Sequence, residues 1–174
     1  LKQTSQLQEK MMKALLKNFA LTGFLMSLFL MSGNIYSSTT KFPYVFHLVQ
    51  VSLWEESVKT GRVYYPPTYE QDGFTHGTSN PEKLLSVANH FYREVEGGWQ
   101  CLKMTVESLA EVGVEVIFEG TAPVGDKAPD FEGADDELFP HILGGIPRNA
   151  VIESYPVIRS KSGEFLSIPG VTSD

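Results

Sequence analysis

The hydrophobic positions change rhythm several times along the chain. Tyr44 to Val51 (YVFHLVQV) is a β-rich run holding a single histidine, and it predicts a strand. Leu53 to Lys59 predicts a short helix, with Ser52 as its N-cap and Gly61 just beyond its end. Gly61 to Glu70 carries three tyrosines and Pro66-Pro67, so extended, irregular backbone is expected. Asp72-Gly73 reads as a turn, and Phe74 to Ser79 as a short strand or loop. The strongest helical pattern runs from about 81 to 95. Leu84, Val87, Ala88, Phe91, Tyr92 and Val95 recur at three- and four-residue spacing. Ser79 or Asn80 can cap this helix, Pro81 suits its first position, and Gly97-Gly98 ends it.

Further on, Trp99 to Val106 and Val114 to Phe118 predict strands, joined by a connection through Ser108-Leu109-Ala110. Gly120 to Asp136 is rich in Gly, Pro and Asp and predicts a mobile surface loop. A last strand is expected from Ala150 to Ile158, interrupted at Pro156, and an irregular Ser- and Gly-rich tail after 160. Short strands outnumber helices, so the fold class is α+β with a mainly antiparallel sheet.

The first forty residues follow a different pattern. Met11, Met12, Lys13 and Lys17 precede a charge-free apolar core at 19–31, followed by small polar residues. A membrane-spanning helix needs ~20 apolar residues, so this order fits a signal peptide better than an anchor. Cleavage after Ser37 suits the pattern, and other positions between Gly33 and Thr39 suit it almost as well. The expected organisation is therefore an N-terminal extension and signal peptide at 1–37 and a single domain at 38–174. That domain would be secreted, with no stable membrane insertion after cleavage.

Export sharpens the charge balance. The whole chain has 14 basic and 21 acidic side chains and a net charge of −7. Without residues 1–37, which hold four lysines and one glutamate, 10 basic and 20 acidic residues leave −10. That balance excludes a nucleic-acid partner, which needs a basic surface to displace counterions. It suits cations or basic partners instead, including weak calcium binding by scattered carboxylates. Cys101, the sole cysteine, excludes an internal disulfide. Within WQCLKMTV it is expected to be buried, the alternatives being a capped thiol or one paired between chains.

Three of the four histidines sit in or beside apolar runs: His47 in YVFHLVQ, His76 in GFTHGTS and His141 in LFPHILGG. One such histidine is ordinarily a core residue with a backbone partner. Three in similar settings suggest a shared cleft, which gives polar groups a reason to sit in apolar surroundings. His90, on the polar side of the helix, reads as a surface residue. No HxxxH or HExxH pair supports a metal site, no GxSxG elbow activates Ser79, and no Gly-rich loop is built for phosphate.

The same blocks carry a family resemblance. Phe46-His47-Leu48, Trp54, Gly61 to Pro66, Asp72-Gly73-Phe74-Thr75-His76-Gly77-Thr78 and Phe139-Pro140-His141-Ile142-Leu143-Gly144 occur in order over roughly 44–170. Together they resemble the domain-of-unknown-function family nine-five-two. The chain departs from that pattern at Thr75, at Gly77-Thr78 where the family has Cys-Ser, and around Leu143. The resemblance implies an ADP-ribosyltransferase-like fold, with antiparallel sheets around a cleft that holds a nicotinamide dinucleotide. By position it gives His47 the first-strand role, Thr78 and Ser79 the second-strand segment, and Glu137 the place of a catalytic acid near His141.

Two functions follow as expectations. One is a secreted acidic matrix or binding component that keeps the fold without the chemistry. The other is a small NAD- or nucleotide-handling enzyme with His47, His76, Thr78 and His141 around one cleft.

Overall fold

The computed structural model describes residues 41–172, so the expected signal peptide at 1–37 lies outside the described residues. The first strand, β1 (Val45–Gln50), runs antiparallel to β3 (Trp99–Met104). The other edge of β3 pairs antiparallel with β6 (Glu153–Pro156), giving the order β1-β3-β6. Successive side chains of a strand point to opposite faces. In β1 both sets are buried, which explains the nearly unbroken apolar run in the sequence. Val45, Val49, Leu102 and Met104 face one core with Trp54, Tyr64 and Ile142. Phe46, Leu48, Trp99 and Cys101 face a second core with Leu84, Ala88 and Phe165. Each large apolar side chain so buried contributes about 1.5–3 kcal/mol.

A second three-stranded antiparallel sheet has the order β2-β5-β4: β2 (Thr75–His76), β5 (Phe139–Ile142) and β4 (Val116–Glu119). It is tied to β1 where Phe46 and Thr78 exchange both backbone hydrogen bonds, at 2.8 and 2.9 Å. The α+β class with antiparallel sheets is therefore present.

The helices differ in detail from the sequence pattern. Helix α1 (Val51–Thr60) begins directly after β1, with Gln50 and not Ser52 at the cap position. The Val51 N–H is already taken by the Gly98 carbonyl at 2.9 Å, so no side-chain cap is needed there. A single turn, α2 (Tyr69–Asp72), occupies part of the stretch expected to be irregular. The long helix expected over 81–95 is a 3₁₀ turn, Pro81–Lys83, leading into α3 (Leu84–Tyr92). Asn80 caps it by accepting from the Glu82 N–H.

The helix ends at Tyr92, and a side chain from much later in the chain takes the carbonyls that follow it. The Arg159 guanidinium donates to the carbonyls of Arg93, Val95 and Gly97 at 2.9–3.0 Å, and more weakly to that of Tyr92. The connection at 106–110 is itself a helix, α4 (Val106–Ala110), opened by a reciprocal capping box between Thr105 and Ser108. The tail after 160 is not irregular throughout. A hairpin of β7 (Ile158–Arg159) and β8 (Phe165–Ser167) places Phe165 and Ile168 in the second core.

Among the described residues no helix is long and apolar enough to cross a membrane. Cys101 is fully buried, as its apolar run suggested.

Candidate functional site

The register of the second sheet assembles the site. β2 and β5 pair so that His76 lies directly opposite His141, and β4 places Ile117 opposite His141 and Glu119 opposite Phe139. These side chains therefore share one face of the sheet. Across from them stands the second face of the first sheet, with Phe46 and Leu48, and α3 supplies Val87, Phe91 and Tyr92. Thr78, Phe131, Phe139 and the loop residues Thr121, Ala122 and Val124 complete a cleft with about 450 Å³ of open space. Most of that space is open to solvent; the enclosed room is about 30 Å³, enough for a water-sized group without movement of the lining.

Each imidazole in this cleft is backed by a carboxylate. His76 Nε2–H donates to Asp72 Oδ2 at 3.0 Å, and His141 Nδ1–H donates to Glu119 Oε2 at 3.1 Å. A carboxylate only accepts, so each contact fixes which ring nitrogen carries the proton. His76 Nδ1 and His141 Nε2 are left as the basic nitrogens, and neither has a protein partner among the described residues. Phe74 stacks on the His141 ring at 3.9 Å between centroids and also abuts His76, holding both rings in place.

The two carboxylates have different surroundings. The Asp72 side chain is 5% exposed, whereas that of Glu119 is 58% exposed. Asp72 also accepts from the Gly125 N–H, at 3.0 Å to Oδ1, and so fastens the loop over the cleft.

Burial lowers the His76 pKa despite the opposing hydrogen bond to Asp72, so the ring is neutral near pH 7. Burial, and then the Asp72 charge, raise the Tyr92 phenol above its ordinary range.

The residues singled out in the sequence divide into two groups. His76, Thr78 and His141 line the cleft together. His47 does not, because Phe46 and Leu48 take the cleft face of β1 and alternation turns His47 the other way, against Tyr64. Its Nδ1–H donates to the His76 carbonyl at 2.7 Å, so it holds β2 from behind. Burial brings its pKa down to about 4, and its Nε2 is buried without a partner.

Ser79, next along from Thr78, points away into a separate recess beside Lys103 and Tyr155. Glu137 lies off the cleft and accepts from Asn80 Nδ2 at 3.0 Å. His90 is not a free surface group, because it donates to the Ala128 carbonyl at 2.6 Å. That bond, with those of Asp72 and Lys83 to the same loop, fastens the segment read as mobile. Cys101 is unsuited to nucleophilic work, since burial pushes its thiol up to about 12.

Asp72, Glu119 and Tyr92 were not among the candidate site residues in the sequence, where Tyr92 read as part of a helix's apolar face. Asp72 stands four residues before His76, but the Asp-Gly pair read as a turn. Glu119 becomes a neighbour of His141 only through the β4–β5 register. Among the described residues no group of three or more His, Cys, Asp or Glu side chains converges as metal ligands.

Gly77, where the family pattern has Cys, is a close approach. A Cβ there would lie 2.9 Å from Pro140 Cγ and 3.0 Å from the Pro140 carbonyl oxygen.

Comparison with solved structures supports this architecture. The crystal structure of protein CC0527 from Caulobacter crescentus is similar with a TM-score of 0.53 and 16% identity, covering 71% of this chain and 93% of that one. A double-mutant form of the same protein gives 0.53 and 15% with the same coverage. At such identity the likeness speaks for the fold alone. No curated protein matches the chain. The model of the family DUF952, described as proteins of unknown function, matches residues 48–154. That span is more than half of the chain and contains both cleft histidines: the protein belongs to the DUF952 family.

Proposed function

We propose that the protein binds a small molecule in the cleft between its two sheets and acts on it by general acid–base chemistry through His76 and His141. The observation that carries this reading is the pair of carboxylate-backed imidazoles on adjacent strands, each with its second nitrogen free. A neutral imidazole held in this tautomer accepts a proton at its free nitrogen, and the carboxylate behind it stabilises the imidazolium that results. Thr78 and Tyr92 line the same cleft, among the rings of Phe46, Phe91, Phe131 and Phe139.

The two antiparallel sheets flanking a cleft suit an ADP-ribosyltransferase-like core, which we propose as the finer fold class. The cleft does not suit a whole dinucleotide. Among the described residues its lining holds no Lys or Arg to meet a pyrophosphate, and His47, the residue the resemblance would use, faces the other core. No step is therefore assigned to NAD.

The test is a ligand screen by thermal shift on the wild-type chain, followed by His76→Asn and His141→Asn. A genuine ligand raises the melting temperature of the wild type and loses most of that effect in both variants. A ligand whose shift survives both substitutions would refute the assignment.

We further propose that the cleft operates in a secreted acidic protein, on the strength of the n-region, the apolar core at 19–31 and the net charge of −10 left by cleavage. Fractionation of expressing cells tests export. A calcium titration of the secreted form tests the matrix role, which falls if no uptake occurs.

A further inference from the structure

Resting on that reading of the cleft, we propose that its ligand class is a compact organic cation with an aromatic or alkyl body, and that phosphorylated and carboxylated ligands are rejected. Three independent observations lead there. Five aromatic side chains line the cleft: Phe46, Phe91, Tyr92, Phe131 and Phe139. Phe131 and Phe139 meet edge to face, as do Phe91 and Phe131, so their rings are set at steep angles around one space. Rings arranged so present negative π faces, which attract ammonium and pyridinium groups.

The charges point the same way. Among the described residues no Lys or Arg lines the cleft, whereas Asp72 and Glu119 stand directly behind its two imidazoles. The loop from 120 to 136, whose Thr121, Ala122, Val124 and Phe131 line the cleft, carries Asp126, Asp130, Glu132, Asp135 and Asp136 against the single basic residue Lys127. A loop of that charge beside the cleft raises the local concentration of cations and lowers that of anions. Lys83 is already engaged by Asp136 of this loop at 2.7 Å.

The third observation is a directed acceptor. His141 is only 3% exposed, yet it lines the cleft and offers its Nε2 without a protein partner. With Nδ1–H committed to Glu119, Nε2 accepts, so it complements an N–H donor on the ligand and not an anionic oxygen. The same holds for His76 Nδ1.

The experiment uses three probes built on one ring: benzylammonium, benzyl alcohol and benzoate. Each is titrated into the full chain at neutral pH with the histidine ring signals followed by NMR. Benzylammonium should bind about tenfold more tightly than benzyl alcohol, and benzoate should be the weakest. Phe131→Leu should erase most of the preference for the cation. Glu119→Gln, which removes the carboxylate behind His141, should weaken benzylammonium about threefold more than it weakens benzyl alcohol.

Benzoate binding as tightly as benzylammonium would overturn the charge preference. If its binding were then abolished by His76→Asn, the acid–base cleft would stand and only the ligand class would fall. If none of the three probes perturbs His76 or His141, both readings fall together.

Discussion

Acidification should destabilise the protein through His47, and the size of the effect can be worked out from its surroundings. The imidazole is buried between β1 and Tyr64, donates through Nδ1 to the His76 carbonyl and leaves Nε2 with no partner. Burial lowers its pKa from 6.5 to about 4, the His76 carbonyl resisting and the nearby His76 ring adding to the shift. Between those two values the unfolded chain takes up a proton that the native site refuses. Stability is therefore full above about pH 6.5 and falls as the pH drops towards 4.

At ~1.4 kcal/mol per unit of pKa difference, the loss by pH 4 is about 3 kcal/mol. That is a large share of the ~5–15 kcal/mol that holds an ordinary domain together. His47→Asn retains an N–H donor for the His76 carbonyl and removes the titration. Urea unfolding followed by the fluorescence of Trp54 and Trp99, both buried, gives stability at each pH. The variant should be weaker near pH 7, by about 1–2 kcal/mol for the lost ring packing. The gap should then close and reverse towards pH 4. His76, which shifts in the same direction, and the carboxylates are common to both proteins and cancel in the difference. A wild-type-minus-variant difference that stays flat across this range would refute the reasoning.

Three other outcomes follow from particular contacts. Gly77→Ala should cost about 1–3 kcal/mol in thermal or urea unfolding, because its methyl group has to displace Pro140 or part β2 from β5; an unchanged stability would mean that this approach is slack. Arg159→Lys keeps the charge but not the fork that serves the carbonyls of Arg93, Val95 and Gly97, so it should cost about 2 kcal/mol and speed amide exchange at the end of α3. Cys101 should resist a thiol reagent in the native protein and react fully in denaturant, since its thiol is buried and pushed up to about 12.

These contacts also show which parts of the molecule could be read in advance. The strands at 45–50 and 99–104, the apolar face of α3 and the burial of Cys101 follow from local pattern, because side-chain period and apolar content act over a few residues. The end of α3 did not, since the carbonyls just beyond it, at Arg93, Val95 and Gly97, are taken by Arg159, more than sixty residues on. The hairpin at 158–167 was hidden for a similar reason. Its strands are too short to show a period, and they exist because Phe165 fills a hole beside Trp99.

The candidate site was half legible. Its histidines are visible as polar groups in apolar runs, and two of the three do meet. Strand alternation says that His47 faces away from Phe46 and Leu48. Only packing decides which of those faces borders the cleft. The partners are set by register: Asp72 reaches His76 after a one-turn helix, and Glu119 reaches His141 because β4 pairs with β5 in one register and not its neighbour. A slip of one residue would turn Glu119 to the other face.

Taken by itself, the chain's order of residues determined its acidity, its α+β class, its buried thiol and the set of histidines worth watching. Those properties are sums over composition or short-range pattern. Tertiary structure alone decided which histidines share a cleft, which carboxylates stand behind them and which charges the cleft lacks. Such facts depend on contacts between segments distant in sequence, where local pattern carries no information.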